Sequence, residues 1–270
     1  MGAERVTGST RLAGVIGWPV AHSRSPQMHN AAYAALGMDW AYVALPVEPS
    51  RLEQALRGLA ALGFAGVNVT IPHKEGVAAL CDEVSDEARR AGSVNTVLVQ
   101  DHGSLRGETT DGRGMLDALG PGLPETALVL GAGGAARAAI AALAGQGVEV
   151  TVSARRAEAA VELADELAAT AGAWPADLPA GLIVNATPVG QSGPADELPL
   201  DEALISGETV VCDLAYRGDG AATGLVALAR DRGARTVDGI DVLVGQGLLS
   251  FKLFTGQDPP ADVMAAAARE

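Results

Sequence analysis

Gly131-Ala-Gly133-Gly-Ala-Ala136 is the stretch whose residue types and spacing point most directly to chemistry. An apolar run, Thr126-Ala-Leu-Val-Leu130, precedes it, and the Ala/Ile/Leu-rich run Ala138 to Leu143 follows. Strand, glycine turn and helix start therefore come in the order that a dinucleotide site requires. Gly131 permits a tight turn, Gly133 lets the backbone approach a pyrophosphate, and the small Ala136 lets helix and strand pack closely. The helix N-terminus then offers unpaired N–H groups and the positive end of its dipole to phosphate oxygens. Taken alone, the glycine pattern leaves open a tight β–α turn with no ligand.

The next strand sharpens the reading. Proteins that bind NAD carry an Asp or Glu about 20 residues after the glycines, where it holds the ribose 2′-hydroxyl. Here that region reads Val150-Thr-Val-Ser-Ala-Arg-Arg156, and Glu149 lies too early. Arg155 and Arg156 in place of a carboxylate suit a 2′-phosphate, so NADP is the expected cofactor. A solvated helix start with one arginine paired to Glu158 is the other reading.

Of the nineteen basic residues only Lys74 and Lys252 are lysines. An ammonium can give up its proton in a suitable site, whereas a guanidinium effectively cannot, so Lys74, just after an apolar strand and Pro72, is a candidate proton carrier. It also reads as an exposed lysine beside Glu75. Asp111, after Thr109 and Thr110, reads by itself as a helix cap. Ser23 and Ser25 read as a turn and a cap, and Asn95 and Gln246 as polar residues satisfied in packing. His22, His29, His73 and His102 are scattered without metal-ligand spacing, and no metal site is expected.

The elements that would position these residues follow from periodicity and punctuation. Strands are expected at 11–17, 40–46, 64–71 and 93–99, with a hairpin turned by Asp101-His-Gly103 into residues 104–106. Helices fit Ser25 to about Leu36, with Ser25 as cap before Pro26, and 51–62, capped by Ser50. After Pro121-Gly-Leu-Pro124, the most linker-like stretch, strands are expected at 127–130, 148–153, 182–185, 209–214 and 234–237. Helices fit 134–145, 157–170, 221–232, 240–254 and 260–269. This alternation predicts an α/β fold with a parallel, doubly wound sheet in the second half. Ser23, Ser25, Thr70, His73, Lys74 and Asn95 then cluster just after strands, where open α/β sheets bind ligands.

Composition sets the outer bounds. At 270 residues with 48% apolar residues the chain is globular. Its net charge of −14 argues against nucleic acid and anionic membranes as partners. No stretch is long and apolar enough to span a membrane, and the N-terminal residues do not read as a signal peptide. Cys81 and Cys212 are expected to be free thiols in a reducing cytoplasm.

The chain resembles the shikimate dehydrogenase family along nearly its whole length. The matching pieces are Ile16-Gly-Trp-Pro-Val-Ala-His-Ser-Arg-Ser-Pro26, Val67-Asn-Val-Thr-Ile-Pro-His-Lys74, Gly92-Ser-Val-Asn-Thr96, Thr109-Thr-Asp-Gly112, Gly131-Ala-Gly-Gly-Ala135, Asn185-Ala-Thr187 and Gly245-Gln246. The resemblance implies NADP-linked reversible reduction of 3-dehydroshikimate to shikimate by a monomer or homodimer. It implies an N-terminal α/β substrate-binding and catalytic domain over 1–111 and a C-terminal doubly wound Rossmann domain over 112–257. A last helix of about 258–270 would pack back on the first domain. It assigns Ser23 and Ser25 to the substrate carboxylate, with Tyr216 near it, and Asn68, Thr70, Asn95, Asp111 and Gln246 to ring oxygens. Lys74 and Asp111 would be the catalytic pair. Gly131, Ala132, Gly133, Gly134 and Ala135 would hold the pyrophosphate, and Thr187 and Gly239 would lie near ribose and nicotinamide. Three departures stand out, one of them the later family arginine, which appears here as Ala159. The family's Asn-Arg-Thr is here Ala154-Arg155-Arg156, and its Gly-Met before Leu-Val is Asp241-Val242. The rival readings are a quinate/shikimate dehydrogenase using NAD, which wants an acidic residue near Ala154, and a non-catalytic nucleotide-sensing protein, which should lack Lys74 or Asp111.

Overall fold

The computed structural model describes residues 6–192, 194 and 197–270. Two compact units emerge, Met1–Thr110 with Gln246–Glu270, and Asp111–Gly245.

In the first unit the chain runs β1 (Arg11–Gly17), α1 (Ser25–Ala35), β2 (Trp40–Pro46), α2 (Leu52–Ala61), β3 (Gly66–Val69), β4 (Glu83–Val84), α3 (Asp86–Ala91), β5 (Thr96–Val99) and β6 (Leu105–Glu108). These strands form a mixed sheet in the order β2-β1-β3-β5-β6-β4. β1 lies parallel to β2 and β3, and the β5–β6 hairpin closes antiparallel against β3. Leu56, Phe64, Val67, Val69 and Val97 fill one apolar core of this unit. The 3₁₀ turn Pro49–Arg51 delays α2 until Leu52, so Ser50 is not its cap. Proline fixes φ for the tight turn, and the helix begins one turn later. Likewise α1 starts from Arg24 without a side-chain cap; Ser25 is the first helical residue, and its own N–H donates to Ser23 Oγ at 3.3 Å.

The second unit contains α4 (Asp111–Leu119), β7 (Thr126–Leu130), α5 (Gly134–Ala144), β8 (Glu149–Ser153), α6 (Ala157–Leu167), β9 (Thr170–Ala171), β10 (Leu182–Asn185), β11 (Val210–Asp213), α7 (Gly224–Asp231) and β12 (Arg235–Val237). Every neighbouring pair in the order β12-β11-β10-β7-β8-β9 is parallel, and the order reverses at β7 and β10, as in doubly wound folds. Alternate residues of β7 serve opposite faces. Ala127 and Val129 pack with Ile140 and Leu143, whereas Leu128 and Leu130 pack with Ile183 and Val211. A sheet covered on both faces needs apolar residues at every position, which is why the strand reads as an unbroken apolar run. α8 (Gly239–Thr255) begins in the second unit and ends in the first, where α9 (Ala261–Arg269) packs on α1. Cys81 and Cys212 are free thiols. No described helix is long and apolar enough to cross a membrane.

Candidate active site

In the first unit the polar residues singled out above gather at the carboxyl ends of β1 and β3. Asn95 is the hub. Its Oδ1 accepts from Thr110 N at 2.8 Å and Thr96 Oγ1 at 3.1 Å, and its Nδ2 donates to Thr110 Oγ1 at 2.9 Å and Gln246 Oε1 at 3.4 Å. Asn68 Nδ2 donates to Thr96 Oγ1 at 3.0 Å and to the Asn95 carbonyl at 3.3 Å. Asn68, Asn95, Thr110 and Gln246 are all buried, and burying such groups without partners would be costly. Thr70 is half-buried; its N–H donates to Ile16 O, and its carbonyl accepts from His73 N.

Two further residues, Tyr42 and His73, support this cluster. Tyr42 donates from its hydroxyl to Asn68 Oδ1 at 2.7 Å. Burial drives its phenol well above the usual range, Tyr33 adds to the shift, and a hydrogen bond with Ser25 opposes it. His73 is buried, with Nε2 2.8 Å from the Val47 carbonyl, so the turn that carries Lys74 is pinned next to β2. Lys74 itself is half-buried and accepts from Val94 N at 2.9 Å, which ties its backbone to the residue before Asn95.

The second unit holds the remaining candidates. Gly131 has φ +113°, and a Cβ there would lie 2.9 Å from Ala186 O, so only glycine fits the turn after β7. At Gly133, the residue before α5, a Cβ would meet nothing within 4 Å, and no side chain caps the helix. The first N–H groups of α5 thus face open space beside exposed Gly133, with Gly134 and Ala135 opening the helix and Ala132 half-buried in the turn. An uncapped helix end of this kind fits a pyrophosphate. Arg155 and Arg156, after β8, are exposed and make no ion pair among the described residues, Glu158 included.

Thr187 is fixed through a buried carboxylate that the sequence reading passed over. Its Oγ1 donates to Asn185 Oδ1 at 2.6 Å, and Asn185 Nδ2 donates to Asp213 Oδ1 at 2.8 Å. Asp213 also accepts from Thr223 Oγ1 at 2.5 Å and Ala215 N at 3.0 Å. Burial pushes its carboxyl up to about 6, while these hydrogen bonds hold it down. A lone carboxylate ending the apolar strand Val210-Val-Cys-Asp213 was the available signal. Tyr216, half-buried, follows the same strand. Gly239 opens α8 hard against the Leu214–Ala215 backbone, where any Cβ would collide with the Ala215 carbonyl. Asp241, one of the departures, has a local role. Its carboxylate accepts from Asp238 N at 3.1 Å while Asp238 Oδ1 accepts from Asp241 N at 3.0 Å, a reciprocal cap on α8. Asp111 is the first residue of α4 and half-buried. Among the described residues no group of three or more His, Cys, Asp or Glu side chains could hold a metal ion.

Residues 15–97 match the model of the shikimate dehydrogenase substrate binding domain, and 239–269 that of the shikimate 5'-dehydrogenase C-terminal domain. The NADP(+) shikimate dehydrogenase of Anaeromyxobacter sp. strain K is 47% identical over 98% of this chain and 99% of its own. That of Gluconobacter oxydans is 47% identical over 95% and 94%. Among solved structures, the Thermus thermophilus shikimate 5-dehydrogenase in complex with NADP(H) and shikimate has a TM-score of 0.87 at 40% identity, covering 96% of this chain and 99% of that one. A second shikimate dehydrogenase, in complex with NADP+, has a TM-score of 0.92 at 36% identity over 98% and 96%. With relatives this similar along nearly its full length, the chain belongs to the shikimate dehydrogenase family.

Proposed function

We propose that this chain catalyses the NADP-linked, reversible reduction of 3-dehydroshikimate to shikimate. The observation that supports this most is the joined set of neutral amides and hydroxyls, Asn68, Asn95, Thr110 and Gln246, at the strand ends of the first unit. A ring bearing several hydroxyls needs such groups, because each hydroxyl both donates and accepts. In this reading Ser23 and Ser25 hold the carboxylate, with Tyr216 near it, and Asn68, Thr70, Asn95, Asp111 and Gln246 hold ring oxygens. The first unit serves the substrate and the second the cofactor. Gly131 to Ala135 hold the pyrophosphate, Arg155 and Arg156 the 2′-phosphate, and Thr187 and Gly239 lie near ribose and nicotinamide. NADP, when bound, supplies the hydride or takes it back. Lys74 gives a proton to the oxygen of the reduced ketone and receives it in the reverse direction; Asp111 completes the catalytic pair. The location is cytoplasmic.

Reduced-nicotinamide absorbance, with shikimate or quinate crossed with NADP or NAD, tests this reading. Shikimate with NADP should give the highest kcat/KM, and equal turnover of quinate would overturn the substrate assignment. The cofactor arm has its own variant. A charge-assisted hydrogen bond contributes about 1.5–3 kcal/mol, roughly 10- to 150-fold. Arg155→Ala should raise the KM for NADP by that order and leave the KM for NAD nearly unchanged; an equal rise for both would remove Arg155 from the 2′-phosphate.

The two cradle glycines should separate fold from binding. Gly133→Ala places its methyl in open space at an ordinary φ, so it should cost at most about 1 kcal/mol of stability. It should still weaken NADP by about tenfold or more, which corresponds to about 1.4 kcal/mol. Gly131→Ala must adopt a positive φ against Ala186 O and should lose about 1–3 kcal/mol of stability. Urea unfolding beside an NADP titration reads both, and unchanged NADP affinity in Gly133→Ala would place the pyrophosphate elsewhere.

A further inference from the structure

Asn68 has no freedom to choose its role. Both hydrogens of its amide nitrogen are used, one on Thr96 Oγ1 at 3.0 Å and one on the Asn95 carbonyl at 3.3 Å. Its Oδ1 takes one hydrogen, from the Tyr42 hydroxyl at 2.7 Å. An amide oxygen has two lone pairs, so one acceptor position remains and no donor. Turning the amide over would set Oδ1 against the Asn95 carbonyl, two acceptors face to face, so that carbonyl decides which way the amide is turned.

The phenol that bonds the amide oxygen is itself held firmly. Tyr42 is 2% exposed, lies on β2, and stacks on His29 with ring centroids 4.3 Å apart and 6° between planes. Its backbone N–H donates to Asn30 Oδ1 at 2.8 Å, and its carbonyl accepts from Asn30 Nδ2 at 2.9 Å. Ring, backbone and hydroxyl are therefore each held by a partner within the protein.

We propose that Tyr42 is a positioning residue for substrate binding, whose hydroxyl holds the acceptor oxygen of the Asn68 amide in place for one ring hydroxyl of the substrate. The inference rests on the reading of Asn68 as a substrate ligand. Tyr42 touches no reacting atom, so it acts on affinity and not on the chemical step.

Tyr42→Phe removes one oxygen and keeps the stacked ring. The KM for shikimate should rise roughly 3- to 10-fold, the scale of one neutral hydrogen bond, with kcat and the KM for NADP within about twofold of wild type. Thr96→Val, which strips the amide of its acceptor on the nitrogen side, is the second approach, should Tyr42→Phe fold poorly by circular dichroism. The effect of Tyr42→Phe should vanish in an Asn68→Ala background, because the group being positioned is gone, and that of Thr96→Val should shrink to what the lost bond to Asn95 Oδ1 contributes. An unchanged KM in Tyr42→Phe overturns the proposal, as does a rise that multiplies with that of Asn68→Ala. If Asn68→Ala alone leaves the KM for shikimate at the wild-type value, the substrate reading of Asn68 fails first and takes the role of Tyr42 with it. The single-variant arm therefore distinguishes the two failures.

Discussion

Lys74→Met should lower kcat by about 10²- to 10⁴-fold with little change in NADP affinity, the range that general acid–base catalysis supplies. Reducing a ketone leaves an oxygen that must gain a proton, and oxidising the alcohol requires that a proton be taken. The carrier has to exchange protons and sit on a rigid support. Lys74 meets the second demand through its backbone. The turn from Thr70 to Val77 is closed by His73 N on Thr70 O and Val77 N on His73 O, both at 3.0 Å, and Val94 N is bonded to Lys74 O. The other lysine provides a contrast inside the same molecule. Lys252 lies exposed on α8 and pairs with the exposed Asp258 at 2.7 Å, an arrangement worth at most about 1 kcal/mol that any cation could supply. Lys252→Arg should therefore keep full activity. Lys74→Arg should not rescue the Met variant, because guanidinium keeps its proton. Near-wild-type turnover in Lys74→Arg would show that position 74 supplies only charge, and the proton carrier would have to be another group.

The parts of this molecule that were legible in the sequence are those where one local rule acts alone. β7, the glycine turn and α5 follow from an apolar run, a positive φ at Gly131 and a run of small helix formers, each set by neighbours in the chain. β2 spans Trp40–Pro46 and β10 spans Leu182–Asn185, both as the residue pattern predicts. Legibility fails where a residue answers to a distant partner. Ser25 has the chemistry of a cap, but it is already the first helical residue, and its own N–H donates to Ser23 Oγ. Asp213 looks out of place in an apolar strand until Asn185 and Thr223 are brought beside it by the parallel register of β10 and β11. The two-residue strands β4 and β9 carry no periodicity, since two residues cannot show a period of two, and only their pairing with β6 and β8 defines them. The candidate site divides in the same way. Its ligand types could be read from motifs, whereas the direction in which each amide is turned depends on groups up to 151 positions apart, as with Asn95 and Gln246.

His29 should give the protein a sharp sensitivity to acid. The imidazole is 0% exposed, neither ring nitrogen has a hydrogen-bond partner among the described residues, and aromatic rings surround it: Tyr42 at 4.3 Å, Phe251 at 6.1 Å, Tyr33 at 6.2 Å and Phe254 at 6.3 Å. Burial in these surroundings lowers its pKa from 6.5 to about 3. Between those values the unfolded chain binds a proton that the native state refuses. Stability therefore rises with pH across the window, at about 1.4 kcal/mol per pH unit. The full contribution is present above pH 6.5 and is lost progressively as the pH falls toward 3. At pH 5 the loss from this one residue should reach about 2 kcal/mol, and at pH 4 about 3.4 kcal/mol. Asp213 works in the opposite sense. Its carboxyl is raised from 3.8 to about 6, so its contribution is present below 3.8 and fades as the pH rises through 6, but that term is common to wild type and variant. His29→Phe keeps a flat ring in the stack and removes two unsatisfied nitrogens, so it should cost little at pH 7. Its urea-unfolding free energy should fall by about 2 kcal/mol less than that of the wild type between pH 7 and pH 5. The check is the difference between the two pH slopes, followed by the fluorescence of Trp40, whose ring lies 5.4 Å from Tyr33 in the same cluster. Parallel slopes would mean that water or a rearranged partner already reaches the imidazole in the native state, and that the closed aromatic box around it opens in solution.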